Sequence, residues 1–123
     1  MMSGEFKISN QIIIALTIWN ETGSDEQIEA VVDTGFGGSL MLTQSIVETL
    51  ALPQLDVEAA VLADGSIVWL PVYAVNILWD DEERKVVAYA GAGDVLLGMS
   101  MLRGCLGTFE FFPGGISTIE PAE

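Results

Sequence analysis

The chain has 123 residues, half of them hydrophobic, with 18 Asp and Glu against 4 Lys and Arg and a formal net charge of −14. That length supports one domain, residues 1–123, around one core, and a balance this acidic argues against nucleic acid or an anionic membrane surface as partner. The absence of His excludes Ser-His and Cys-His nucleophile pairs and His-ligated zinc, leaving catalysis to carboxylates, hydroxyls, backbone amides or a bound ion.

Turn signals fall roughly every ten residues, the spacing of an all-β domain. Residues 5–20 read as a first strand, closed by Asn20-Glu21-Thr22-Gly23. Its apolar run, Ile12 to Leu16, is far shorter than the about 20 residues of a membrane span. With no basic leader it does not read as a signal peptide either. Residues 26–32 read as its hairpin partner, with Ile28, Ala30 and Val32 on one face. A Gly-rich turn, Gly35-Phe36-Gly37-Gly38, leads to a short strand over 39–42. Thr43 is placed to cap a helix over 44–50, which stops before Pro53.

The runs 57–62 and 67–70 flank Ala63-Asp64-Gly65-Ser66, where Asp-Gly is a strong hairpin signal because both positions tolerate positive φ. A second hairpin pairs 73–79 with 85–89 across the polar tip Asp80 to Arg84, either a solvated turn or a weak cation site. Residues 94–104 read as a second helix, with Asp94 as N-cap and Gly104 as its end. Cys105, the one cysteine, reads as a small buried hydrophobe and fits a reducing, cytoplasmic setting. Two last strands, 107–112 and 116–119, flank Pro113-Gly114-Gly115. Trp19, Trp69 and Trp79 are expected in the core or at an interface, and Met99 and Met101 as packing fillers. Many short strands with one or two short helices predict a closed barrel or small sandwich.

The informative segment is Val31-Val32-Asp33-Thr34-Gly35-Phe36-Gly37-Gly38-Ser39-Leu40. A strand delivers Asp33 to its end, Thr34 supplies a hydroxyl, and Gly35 lets the backbone fold back so that its amide faces the carboxylate. The plainer reading is an Asp that caps its own turn. Downstream stand the Asp64-Gly65 hairpin and then Val95-Leu96-Leu97-Gly98-Met99, an apolar run ending in Gly.

These three features, in this order, resemble the retropepsin-like aspartic proteases, in particular small prokaryotic single-domain members with Asp-Thr-Gly-Phe. The resemblance spans roughly residues 10–112. It implies an all-β closed barrel with one or two short helices and an active site at a two-fold dimer interface. Asp33 would be the catalytic carboxylate, Thr34 would brace the loop across the axis, and Gly35 would offer its amide. Leu96-Leu97-Gly98 would pack beneath that loop, with 99–104 as the C-terminal helix. Ala63-Asp64-Gly65-Ser66 would be a flap tip which, with Phe36 and Gly37, contacts substrate. Phe36 departs from the Ala or Ser usual after Asp-Thr-Gly, so its ring lines a substrate pocket, narrows the cleft, or simply packs in the core.

The chemistry asks for two copies. One carboxylate cannot serve as base towards water and as acid towards the leaving amine in the same step, and the chain carries one Asp-Thr-Gly. A C2 homodimer supplies the second. The facing pair shares one proton, the ionised member activating water and the protonated one polarising the carbonyl. No metal or organic cofactor is required. The expected function is therefore peptide-bond hydrolysis. Its rivals are a non-catalytic dimeric peptide-binding or scaffolding module and a barrel whose Asp-Thr-Gly is coincidental.

Overall fold

The computed structural model describes residues 1–62 and 64–122. Alternation along the strands builds the wall of a barrel. In β2 (Ile12–Trp19), Ile14, Leu16 and Ile18 are buried while Ala15 faces out; in β3 (Asp25–Val32), Ile28 and Ala30 turn inward. Short β4 (Leu40–Thr43) is apolar on both faces, as a strand covered on both sides must be. Thr43 caps α1 (Gln44–Thr49), its hydroxyl accepting the Ile46 amide at 3.2 Å. Val47 and Leu50 carry that helix into the core. The remaining elements are β1 (Met2–Phe6), β5 (Gln54–Val61), β6 (Ile67–Trp79), β7 (Glu82–Gly91), β8 (Leu96–Leu97), α2 (Met99–Leu102), β9 (Cys105–Phe109) and β10 (Ile116–Pro121).

One sheet runs β5-β6-β7-β4-β8-β3-β2-β1-β10-β9, and a further pairing of β6 with β2 closes the six strands from β6 to β2 into a ring. The pairs β3–β8 and β4–β7 are parallel and the others antiparallel. Ile18, Ala30, Leu40, Leu42, Ile77, Ala88 and Leu97 fill the interior with no exposed surface. The hairpin β5–β6 and the strands β1, β10 and β9 extend the sheet beyond the ring, leaving β5 and β9 at its two ends.

Several elements differ from the sequence reading. Residues 5–20 form two strands, because Asn10 turns the chain at φ 63°, a conformation Asn tolerates better than most residues. The stretch 67–79 is one long strand, not two, and Pro71 sits within it. Pro71 faces Val57 of β5 on one side, and pairing with β7 begins only at Val72, so its missing N–H breaks no ladder there. The acidic tip shrinks to Asp80-Asp81, both at positive φ, with Glu82 to Arg84 already in β7. At the Asp64-Gly65 turn only Gly65 has positive φ, and the loop closes through the Leu62 amide on the Ser66 carbonyl.

The segment 94–104 is mostly not helix. Val95 and Leu96-Leu97 pair as a strand, α2 begins only at Met99, and its N-cap is Gly98. Asp94 accepts a hydrogen bond from Gln11 Nε2 at 3.1 Å instead of capping. Trp79 and Met101 are buried in the core, whereas Met99, expected as a packing filler, is exposed at 44%; Trp69 lies outside the core, exposed at 69%. Cys105 is half-buried against the core. Among the described residues no helix is long and apolar enough to cross a membrane.

Candidate active site

Asp33 lies where β3 leaves the barrel wall. The Val31 amide donates to the Val95 carbonyl at 2.8 Å and the Asp33 amide to the Leu97 carbonyl at 2.9 Å, so β8 fixes the end of β3. The chain then doubles back. Asp33 Oδ1 accepts the Gly35 amide at 2.8 Å, and the Asp33 carbonyl accepts the Phe36 amide at 3.2 Å. The carboxylate is half-buried, while Thr34 and Gly35 are exposed at the barrel mouth.

The loop after Asp33 is laced to the start of α2. Met99 donates its amide to the Phe36 carbonyl at 2.8 Å, Ser100 its amide to the Gly38 carbonyl at 3.1 Å, and the Ser100 hydroxyl binds the Gly37 carbonyl at 2.6 Å. First-turn amides of a helix lack intrahelical acceptors, and this N-cap is a Gly with no side chain to supply one. The loop carbonyls take that role, so helix and loop brace each other. Gly98, whose amide donates to the Ser39 carbonyl at 2.9 Å, makes the contact possible. A Cβ there would lie 2.6 Å from Phe36 Cδ2 and 2.8 Å from the Phe36 carbonyl oxygen, and closer still to that of Gly38.

Phe36 is buried. Its ring meets Tyr89 edge-on, with centroids 5.8 Å apart at 69°. A Cβ on Gly38 would come within 2.6 Å of Phe36 Cζ and 2.9 Å of Tyr89 Cε2, so Gly38 is what admits the two rings. Above them the β5–β6 hairpin bends over the mouth, and Tyr89 Oη donates to the Ala59 carbonyl at 3.2 Å. Burial, with the negative charge of Glu58 adding to it, holds the Tyr89 hydroxyl above the ordinary tyrosine pKa. Between hairpin and floor lies a cavity of 290 Å³, walled by Phe36, Gly37, Ser100 and Tyr89 below and residues 59–61 above. None of its lining residues is charged.

Of the expected substrate contacts, Phe36 and Gly37 thus line this cavity. Asp64, Gly65 and Ser66 do not; they stand exposed at the hairpin tip. The hairpin contributes its strand rather than its turn: residues 59–61 of β5 line the cavity, and the Ala59 carbonyl takes the Tyr89 hydroxyl. Ala63 lies outside the described residues. Within the tip, the Ser66 hydroxyl and amide bind Asp64 Oδ1 at 2.6 and 2.9 Å and hold its carboxyl below the usual Asp range. Tyr89, Ser100 and residues 59–61 did not emerge from the sequence. The one local signal was Tyr89 itself, a ring with a polar tip between the buried Ala88 and Ala90. No group of three or more His, Cys, Asp or Glu among the described residues is placed to hold a metal ion.

No family model matches the chain. Among solved structures it is similar to a retropepsin-like aspartic protease from Rickettsia conorii, with a TM-score of 0.59, 17% identity, and coverage of 97% of this chain and 90% of that one. The closed six-strand barrel with two short helices is a retropepsin-like fold. Among curated proteins the chain is similar to a flavodoxin from Picosynechococcus sp. (strain ATCC 27264 / PCC 7002 / PR-6), 31% identical over 93 residues that cover 66% of this chain and 52% of the flavodoxin. The chain therefore spans about half the length of the curated relative it matches. A flavodoxin-like fold is a parallel sheet with helices on both faces. Here the longer helix has six residues, so that likeness does not extend to the fold.

Proposed function

We propose that the chain is an aspartic endopeptidase, active as a homodimer in which each copy contributes one Asp33. The observation that carries this reading is the placement of Asp33: it ends a barrel strand in a retropepsin-like fold, half-buried, with its carboxylate on the Gly35 amide. The structural neighbour is described as an aspartic protease. In the proposed dimer, one Asp33 takes a proton from water while its protonated copy polarises the scissile carbonyl and then protonates the leaving nitrogen. Thr34 braces the loop at the axis. Phe36, Gly37 and the hairpin receive a peptide substrate, and the reaction needs neither nucleic acid nor metal. A cytoplasmic setting is in keeping with the lone Cys105.

Two acidic subunits repel each other, and the facing carboxylates must bind a proton to coexist. The dimer is therefore expected to tighten in mild acid and in moderate salt, with activity on the acidic side. A second reading, a dimeric peptide-binding module without turnover, is favoured by one feature: the Phe36 and Tyr89 rings floor the cleft where a small residue would leave it open.

Asp33→Asn tests the proposal. Asn retains an acceptor for the Gly35 amide but cannot act as the anionic base. Cleavage of a fluorogenic peptide library is expected to vanish while the dimer, followed by analytical ultracentrifugation across pH and salt, persists. Cleavage by the purified variant would sink the assignment. Peptide binding without cleavage by the unmodified protein favours the second reading.

A further inference from the structure

The free edge of β5 faces the cleft, and the hydrogen bonding shows which residues it presents. In an antiparallel pair, bonded and non-bonded residue pairs alternate. Leu62 bonds Ser66 at the loop, so Ala60 with Val68 and Glu58 with Leu70 are the bonded pairs. Val57, Ala59 and Val61 then turn their amides and carbonyls away from β6. Two contacts agree: the Val57 amide donates to Asp56 Oδ1 at 2.8 Å, and the Ala59 carbonyl accepts the Tyr89 hydroxyl. Opposite Val57 stands Pro71, which has no N–H to give. An unpaired edge of this kind accepts an extended peptide as an added strand. Here one acceptor of that edge is already taken by a side chain from the barrel wall.

We propose that Tyr89 is a latch for the cleft: its ring on Phe36 and its hydroxyl on the Ala59 carbonyl tie the hairpin edge to the Asp33 loop, and an entering peptide strand replaces that hydroxyl with its own N–H. The inference rests on the peptide-cleft reading above and adds to it a positioning residue that sets how readily the cleft opens. Phe36 connects the two halves. Its carbonyl is bonded to α2, its ring lies against Gly98 and Gly38, and its edge carries Tyr89. A hairpin held at Ala59 is thus registered against the loop that bears Asp33. The cavity beneath it holds no charged lining residue, so the peptide side chain that enters once the latch yields is an uncharged one.

Methyl relaxation dispersion on Ala59, Ala60 and Val61 in the full chain reads the open state of the hairpin. Tyr89→Phe removes only the hydroxyl and is expected to raise the open population about fivefold, the ratio corresponding to one net hydrogen bond of about 1 kcal/mol. The Ile28 and Leu40 methyls, deep in the barrel, should not respond. Phe36→Leu keeps the hydroxyl but removes the ring it leans on, and should move the same three methyls in the same direction. Dispersion identical in Tyr89→Phe and the unmodified protein overturns the latch, as does a change spread evenly through the barrel. In cleavage of the peptide library, Tyr89→Phe should lower KM at unchanged kcat; a fall in kcat alone also overturns it. If no peptide is cleaved yet the hairpin methyls respond as stated, the latch stands and the peptidase reading falls.

Discussion

Gly98 passes against Phe36 with no space for one more carbon: a Cβ would sit 2.6 Å from the ring and 2.8 Å from the carbonyl oxygen of the same residue. This contact seats the Asp33 loop on the start of α2, and it explains why Gly stands at residue 98.

Gly98→Ala is accordingly expected to destabilise the fold by about 3 kcal/mol. Gly98 has φ −105°, which any residue adopts, so the cost comes from space alone. Two of the opposing atoms are backbone carbonyl oxygens, which cannot swing aside as a flexible side chain could. Urea denaturation measures the loss. A variant within about 0.5 kcal/mol of the parent would show that the loop has room to shift.

The turn Asp80-Asp81 offers a gain. Both residues hold positive φ, 49° and 67°, as a two-residue hairpin loop of the mirror-image type requires, and Gly suits its second position best. Asp81→Gly should therefore stabilise the protein by about 0.5–1 kcal/mol, readable as a raised Tm. An unchanged or lowered Tm would mean that the flexibility gained by the unfolded chain outweighs the strain relieved.

A pH effect follows from Asp64. The Ser66 hydroxyl and amide favour its charged form and lower its folded pKa. A carboxyl lowered in this way contributes order that is fully present above the unfolded value, about 4 for Asp, and is lost as pH falls through the lowered folded value. The Ser66 amide resonance should hold its position from neutrality to about pH 4 and move only below it. Ser66→Ala should bring that transition back up towards the ordinary Asp value. A Ser66 resonance titrating at the ordinary value in the unmodified protein would show that these bonds do not persist in solution.

Much of the site's frame could be read locally, because it rests on neighbours in the chain. The Thr43 cap on the Ile46 amide and the Asp33 carboxylate on the Gly35 amide depend on residues two or three positions apart. The misreadings arose where a distant partner decides. Pro71 stays inside β6 because β7 begins to pair only beyond it, a fact of register rather than of local pattern. Asp94 has the chemistry of an N-cap, but Gln11, far away in sequence, claims its carboxylate, and the Val95 carbonyl is drawn into pairing with β3. The link from Phe36 through Tyr89 to Ala59 joins three segments of which none announces the others.

The ring of six strands closes through a narrow seam. Only Ile18 with Ile77 and Trp19 with Asn76 join β2 to β6, while Asn76 Nδ2 also reaches the Trp19 carbonyl at 3.4 Å across 57 residues of sequence. Bringing such distant segments together costs chain entropy before any contact compensates, and topologies dominated by remote pairings fold in roughly milliseconds to seconds rather than microseconds. The antiparallel hairpins can form early from neighbouring residues, whereas the seam must wait for both of its strands to be in place. Ile18 and Ile77, both fully enclosed once the seam is made, thus belong to a contact that no pair of neighbouring strands can form on its own.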